Sequence, residues 1–186
     1  MIRNVETSPS AMTALTNCVY VSPDDDLSNN QFIEMNNYVF TVILCPGILN
    51  GNIGINNIQR KMLRVAVGNS IDVNIFTKYI QDIQDIKDIN MISCEISNFS
   101  NTRTPISIEL DTSYLTRQLV SVLQGQIIGS KQRITFDFQN RIYNMLVNTI
   151  IVNANNNEKE EASRGKLHEG TVFVFTSTTS NPVKII

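Results

Sequence analysis

Few side chains of this sequence have the type and spacing that catalysis requires. The single histidine, His168, lies in the polar stretch KLHEG and has no nucleophile close to it in sequence. Asp24, Asp25 and Asp26 follow one another in a loop-like segment, where adjacent carboxylates repel one another and lack the fixed geometry of an acid–base pair. We interpret all four as solvated loop residues. The sequence therefore predicts no catalytic residue and no enzymatic activity for this chain.

Motifs that bind metals or nucleotides are also missing from the sequence. Cys18, Cys45 and Cys94 lie far apart in apolar settings, which predicts buried free thiols in a reducing compartment. Cysteine and histidine do not occur at the spacing of a zinc site. The eight glycines include no GxxxxGK(S/T) loop that could cradle a phosphate. The sequence predicts that the chain itself holds no metal and no cofactor.

A group of cations is the clearest charge feature. The stretch NNIQRKML at 56–63 contains Arg60 and Lys61, and Arg64 follows; we call these three residues the cationic cluster. No Asp or Glu occurs between Met35 and Ile71, although the chain has a formal net charge of −2. Arg60 and Arg64 are four residues apart, a spacing at which like charges destabilise a helix by roughly a few tenths of a kcal/mol.

Three interpretations of the cationic cluster are open: a solvated helix face, a nucleic-acid contact, or a docking surface for an acidic partner. Neither half of the chain is strongly basic, aromatic residues make up 7% and Trp is absent, so nucleic acid is disfavoured as a partner. The missing counter-charge favours docking over a solvated face. We expect the cluster to bind an acidic protein.

The elements around the cluster can be predicted from periodicity. Ile58 and Met62 begin an apolar stripe with helical spacing. Asn57 can cap the start of this helix, and Gly68 can end it. On this helix Ile58 and Met62 are predicted to face inward, with Gln59 and the cationic cluster toward water.

The rest of the first half is predicted to consist of short strands, which favours a small barrel. A flexible leader is predicted over 1–11, and a hairpin turns at Asn36-Asn37. Pro46-Gly47 breaks the longest apolar run well short of the ~20 residues that span a bilayer. The predicted strands cover 15–22, 31–35, 38–45 and 70–77.

The second half has the pattern of an α+β unit. YIQDIQDIKDI at 79–89 repeats every three residues and is interpreted as a linker or insert. A helix is predicted after Asp111, and a polar span at 153–166 is predicted to be a mobile loop. Strands are predicted over 89–99, 133–138, 141–153 and 170–177, the middle two joined at Gln139-Asn140. The inward face of the helix is predicted to carry Leu115, Leu119, Val122 and Leu123.

Three segments resemble the N-terminal domain of the N-ethylmaleimide-sensitive factor family of vesicle-fusion AAA ATPases. They are LTNC (15–18), PGILNGNIGINNIQRK (46–61) and VAVGNSIDVNIFT (65–77), and weaker similarity extends over most of 15–152. The resemblance implies a mainly β, α+β chain: a double-ψ β-barrel over 1–80, a linker over 81–89 and an α/β roll over 90–186.

The resemblance also implies a partner and a site. Members of this family recruit the soluble NSF attachment protein, bound to SNAREs, through basic residues in a groove between the two subdomains. The matching Gln-Arg-Lys motif supplies Arg60 and Lys61, with Arg64 beside them. A Lys-Lys pair of the family is replaced here by Arg103 alone, in NFSNTRT. The family's N-terminal basic residue has no clear match, and Arg3 lies nearest to its place.

The resemblance further implies a hexameric parent protein, with ATP and Mg²⁺ bound in C-terminal ATPase modules outside this chain. It implies a cytoplasmic protein at the surface of vesicle and target membranes, without insertion into them. Two alternatives stay open. One is the N domain of a valosin-containing-protein-like ATPase, which recruits ubiquitin-pathway cofactors. The other is a small double-ψ barrel enzyme such as a decarboxylase.

Overall fold

The chain separates into two compact units, Met1–Asp85 and Ile86–Ile186. The structure, a computed structural model, describes residues 1–76, 86–99, 109–153, 158–178 and 183–186. Most of the predicted linker at 81–89 lies outside the described residues. Its last residue, Ile89, begins a strand.

Over residues 1–76, its described part, the first unit is built from short strands and one α-helix. Besides the α-helix α1 (Asn57–Leu63), it contains two 3₁₀ helices, Thr13–Leu15 and Asp26–Asn29. The strands are β1 (Ile2–Thr7), β2 (Val19–Val21), β3 (Phe32–Met35), β4 (Tyr38–Leu44), β5 (Asn52–Ile55), β6 (Ser70–Asp72) and β7 (Asn74–Ile75).

These seven strands form one mixed sheet that is nearly closed. Their order is β6-β1-β5-β2-β4-β3-β7, with β1 parallel to β5 and β2 parallel to β4. The two outermost strands, β6 and β7, are separated in sequence by Val73 alone, so the chain itself joins the two edges of the sheet. Parallel pairs inside a nearly closed sheet are consistent with the predicted double-ψ barrel. The prediction of a β-barrel is confirmed.

The N-terminal segment is part of this barrel. Strand β1 lies between β5 and β6, and Val5 on it is buried in the core. The predicted flexible leader over 1–11 is therefore wrong for Ile2–Thr7. The reason is that β1 gains its partners from segments some fifty to seventy residues away, which local sequence patterns do not reveal.

Arg3, on β1, forms a buried ion pair with Asp25. Its Nε and Nη2 donate to Asp25 Oδ1 at 3.3 and 2.9 Å. Asp25 is only 2% exposed, and it also accepts hydrogen bonds from the backbone N–H groups of Leu27 at 2.9 Å and Gly51 at 3.0 Å. The interpretation of all three aspartates as solvated is wrong for Asp25, which joins β1, a 3₁₀ helix and the turn before β5.

The hydrogen bonds around Asp25 favour its charged form. Burial by itself would raise the pKa of this carboxyl group, but the donors on Leu27, Arg3 and Gly51 and the charge of Arg3 together hold the pKa below its ordinary value. The ion pair therefore contributes to stability above the pKa of the unfolded chain, near 3.9. Its contribution is lost as the pH falls through the lower pKa of the folded state.

The second unit packs one helix on a sheet. It contains the helix α2 (Thr112–Leu123) and nine strands within the described residues. These are β8 (Ile89–Asn98), β9 (Glu109–Leu110), β10 (Ile127–Gly129), β11 (Arg133–Phe138), β12 (Arg141–Asn153), β13 (Lys159–Ala162), β14 (Arg164–Lys166), β15 (Val172–Ser177) and β16 (Lys184–Ile185).

The main sheet of this unit has the order β11-β12-β8-β15, with β13 paired to β12. Strand β15 is parallel to β8, and the other pairs are antiparallel. Two further pairs, β10 with β14 and β9 with β16, complete the unit. A helix packed on a largely antiparallel sheet confirms the predicted α+β character and is consistent with an α/β roll.

Two predictions in the second unit that rest on neighbouring residues are confirmed, the cap of α2 and the hairpin turn before β12. Asp111 caps α2 by accepting from Tyr114 N–H at 3.0 Å, and Gln139 and Asn140 both have the positive φ that a tight hairpin needs. Val122, however, is exposed, because the buried face carries Leu115, Leu119 and Leu123. The predicted mobile loop at 153–166 is wrong where β13 and β14 form.

The prediction of buried free thiols is confirmed for Cys18 and Cys94 and is wrong in burial for Cys45. Cys18 and Cys94 are buried, Cys45 is half-buried, and all three are free thiols. Burial raises the pKa of Cys18, and it raises the pKa of Cys94 to about 12. Thiols with raised pKa values are poor nucleophiles at neutral pH.

Among the described residues, neither α-helix has the length and apolar character needed to cross a membrane.

We predict that Asp25→Asn destabilises the chain by about 3 kcal/mol at pH 7, because it removes the buried counter-charge of Arg3 and leaves only the exposed carboxylate of Asp26 near it. The matched control is Asp26→Asn: the side chain of Asp26 is 87% exposed and lies 3.7 Å from Arg3. This control should change the free energy of unfolding by no more than about 0.5 kcal/mol. Urea unfolding followed by circular dichroism measures both.

The pH dependence provides a second test of the same pair. The stability difference between the unaltered chain and Asp25→Asn should be constant above pH ~5 and should shrink below pH ~4. A difference that is unchanged at pH 3, or an equal loss in Asp26→Asn, would contradict the role assigned to Asp25.

Candidate protein-docking surface

The helix that carries the cationic cluster starts with a complete capping box. Asn56, not the predicted Asn57, is the N-cap. Asn56 Oδ1 accepts from Gln59 N–H at 2.8 Å, and Gln59 Oε1 accepts from Asn56 N–H at 2.8 Å. This reciprocal pair satisfies two backbone donors that the first turn of a helix otherwise leaves open.

The same two amides fasten the helix to an earlier part of the chain. Gln59 Nε2 donates to the carbonyl oxygen of Cys18 at 3.0 Å, and Asn56 Nδ2 donates to that of Ala14 at 2.9 Å. Gln59 is 1% exposed, and Leu63 one turn later is also buried. These contacts fix the rotation of α1 about its axis.

The predicted orientation of α1 is wrong in one respect. Gln59 was predicted to face water, but it lies on the buried face, whereas Ile58 and Met62 are only half-buried. The apolar stripe predicts a different rotation of α1 about its axis, because an analysis of hydrophobic periodicity places glutamine on the exposed face of a helix. The rotation is decided by the hydrogen bond from Gln59 to Cys18 instead.

The cationic cluster lies on the outer side of this fixed helix. Lys61 and Arg64 are exposed. Arg60 is half-buried, and its Nη1 donates to the carbonyl oxygen of Ile55 at 2.7 Å. Within the part of the chain that the structure describes, no carboxylate lies at salt-bridge distance from any of the three. No ion pair with a described residue neutralises the cluster, and Lys61 and Arg64 present their charges to solvent.

Arg64 ends the helix in a left-handed conformation, with φ 58° and ψ 42°. Because Arg64 lies past the last helical turn, the predicted repulsion between Arg60 and Arg64 across one helical turn does not apply. Arg60 and Lys61 lie in the last turn, where cations interact favourably with the helix dipole by about 0.3–1 kcal/mol. The helix dipole therefore accounts for the presence of Arg60 and Lys61. It does not account for a third cation at Arg64, which lies beyond the helix.

The other two predicted cations are placed differently. Arg103 lies outside the described residues, so its contribution stays a prediction. Arg3 is buried and paired with Asp25, and it is not available for docking. The described part of the surface therefore consists of Arg60, Lys61 and Arg64.

The single histidine lies in a turn that its own side chain helps to close. His168 Nδ1 accepts from Gly170 N–H at 3.1 Å within a turn. Among the described residues, no group of three or more His, Cys, Asp or Glu side chains could hold a metal ion.

Comparison with known proteins supplies the family context. The chain is 28% identical to a vesicle-fusing ATPase of Arabidopsis thaliana over 193 aligned residues, which cover 100% of the chain and 25% of that protein. It is 23% identical to the vesicular-fusion protein sec18 of Schizosaccharomyces pombe, with 95% of the chain and 23% of that protein covered. No family model matches the chain.

The chain resembles the vesicle-fusing ATPases along its whole length. The predicted resemblance is confirmed, and the chain spans about a quarter of the length of these relatives. Such coverage is consistent with one domain, such as an N-terminal domain, of a vesicle-fusing ATPase.

The structure explains why two of the resembling segments occur together. LTNC at 15–18 supplies the Cys18 carbonyl oxygen, and NNIQRK at 56–61 supplies the Gln59 amide that binds it. This buried hydrogen bond connects the two segments within the fold. Their likeness to the vesicle-fusing ATPases therefore supports a shared fold more directly than a shared docking surface.

We predict that Arg64→Gly stabilises the chain by about 0.5–1 kcal/mol, because glycine adopts positive φ without the steric cost that arginine bears. Arg64→Ala removes the same charge but keeps that cost, and it should give no gain. The measurement is the urea midpoint of each variant. A loss of stability in Arg64→Gly, or an equal gain in Arg64→Ala, would contradict the conformation assigned to Arg64.

Proposed function

We propose that this chain is the adaptor-recruiting N-terminal domain of a vesicle-fusing ATPase. In this proposal it has no catalytic activity of its own and binds the soluble NSF attachment protein together with SNAREs. The observation that carries the proposal is the cationic cluster: two cations in the last turn of α1 and a third at its C-cap, with no described carboxylate at salt-bridge distance. The similarity to the vesicle-fusing ATPases is the reason for proposing that this cluster binds the attachment protein.

The charge of the cluster determines the kind of partner. An unpaired group of cations attracts a surface of opposite charge and repels a basic one, which gives specificity and a faster encounter. An acidic adaptor fits this requirement. Arg103 is a further proposed contact, carried over from the sequence alone.

Magnitudes indicate that one copy binds weakly. A solvent-exposed ion pair contributes roughly 0.2–1 kcal/mol, so four cations give at most about 4 kcal/mol before the costs of association, which corresponds to millimolar affinity. Several copies tethered in one assembly gain avidity through effective concentration. The proposal therefore includes a hexameric parent protein at the cytoplasmic surface of membranes, with ATP and Mg²⁺ bound in ATPase modules outside this chain.

The test compares two double charge reversals that change the net charge equally. The chain is immobilised at high density, and binding of the attachment protein in complex with SNAREs is measured at about 50 and 300 mM salt. Arg60→Glu with Lys61→Glu should abolish binding, and the unaltered chain should bind more weakly at the higher salt. The control, Lys131→Glu with Lys166→Glu, changes two exposed cations of the second unit and should bind like the unaltered chain.

Arg64→Gly serves as a further variant in this assay. It removes one cation while the fold is expected to gain stability, so weaker binding could not be attributed to unfolding. Undiminished binding by the Arg60/Lys61 reversal at low salt would contradict the proposal. Equal losses in that variant and in the control would contradict it as well.

A further inference from the structure

The loop that follows the cationic cluster presents an apolar side chain. Val67, three residues after Arg64, is 54% exposed. A single exposed apolar residue needs no explanation by itself. The position of Val67 is informative because it lies at the apex of a turn that directly continues from the end of α1.

This turn, Ala66 to Asn69, is closed on itself. Asn69 N–H donates to the carbonyl oxygen of Ala66 at 3.1 Å, and Asn69 Oδ1 accepts from Ala66 N–H at 2.9 Å. Gly68 has a φ of +84°, the value that a type II turn requires at its third position. Val67 occupies the second position, from which its side chain projects.

The turn is also fastened to the barrel. Gly68 N–H donates to the carbonyl oxygen of Val5 at 2.9 Å, and Val5 N–H donates to that of Asn69 at 2.8 Å. Val5 lies on β1 and is buried. Because both sides of Val67 are hydrogen-bonded, little freedom of the backbone is left to lose when a partner binds. Valine adds little side-chain freedom, since its branched Cβ restricts χ1.

We propose that Val67 is the apolar anchor of the docking surface and inserts into an apolar pocket on the acidic partner, between acidic groups that meet the cationic cluster. This inference rests on the proposed function and extends it. Exposed ion pairs alone give weak binding, and the strongest contacts of protein interfaces are desolvated ones surrounded by a polar rim. A hydrogen-bonded apolar apex that follows three cations within seven residues of the chain fits that arrangement. The partner is an acidic protein surface with a small apolar depression, because the charge of the cluster excludes a basic one.

The test uses the same immobilised 186-residue chain and the attachment protein in complex with SNAREs as the probe. Val67→Ala should weaken binding about five- to tenfold, since it removes two buried methyl groups. Val67→Thr keeps the branched shape and should also weaken binding, because a hydroxyl group is poorly accommodated in an apolar pocket. The matched control is Leu49→Ala, which truncates an apolar side chain of the same unit that is 69% exposed; it should leave binding unchanged.

The salt dependence separates the anchor from the charges. Val67→Ala should lower the affinity at every salt concentration by the same factor, whereas Arg64→Gly should reduce the slope of affinity against salt. Salt-sensitive binding that is unchanged by Val67→Ala would overturn this inference and leave the proposed function in place. An equal loss in Leu49→Ala would overturn the localised anchor. No binding by the unaltered chain would overturn the proposed function and this inference with it.

Discussion

The orientation of the cationic cluster depends on the buried side-chain amide of Gln59. Its backbone and side chain complete the capping box with Asn56, and its Nε2 reaches the Cys18 carbonyl oxygen from the first turn of α1. A seven-residue helix has little stability in isolation, because helix nucleation is costly. Its position is therefore set by tertiary contacts, and Gln59 provides a fully buried polar one. Since the rotation of α1 is fixed, the side chains of Lys61 and Arg64 point toward solvent.

A second buried polar contact binds the one buried carboxylate of the acidic segment at 24–26. The acidic segment at 24–26 precedes the cation-rich region, and its buried member, Asp25, is bound by Arg3 and by two backbone donors. Arg3 thus has a structural role, and the three later cations are left without a carboxylate among the described residues. The fold places Arg3 in the interior, whereas the three cations of the cluster form no ion pair among the described residues.

The sequence was sufficient where structure is decided by near neighbours. Both hairpins turn at Asn36-Asn37 and Gln139-Asn140, where all four residues have positive φ, and Asp111 caps α2 as predicted. The failures share a different cause. Strand β1 pairs with residues 52–55 and 70–72. Asp25 binds Arg3, which lies 22 residues earlier, and Gln59 donates to a carbonyl oxygen 41 residues earlier. Such contacts between residues distant in sequence override local patterns. The exposure of Lys61 and Arg64 could therefore be predicted from the sequence, but the hydrogen bonds that fix α1 could not.

We propose that the outer side of α1 and the turn after it form the surface at which an acidic adaptor docks. The most direct test is a titration of the ¹⁵N-labelled chain with unlabelled attachment protein, observed by amide NMR spectra. The account predicts that the amides of residues 57–69 change most and that the changes disappear at about 300 mM salt. Changes centred on α2 or elsewhere in the second unit, or changes that salt leaves unaltered, would contradict it.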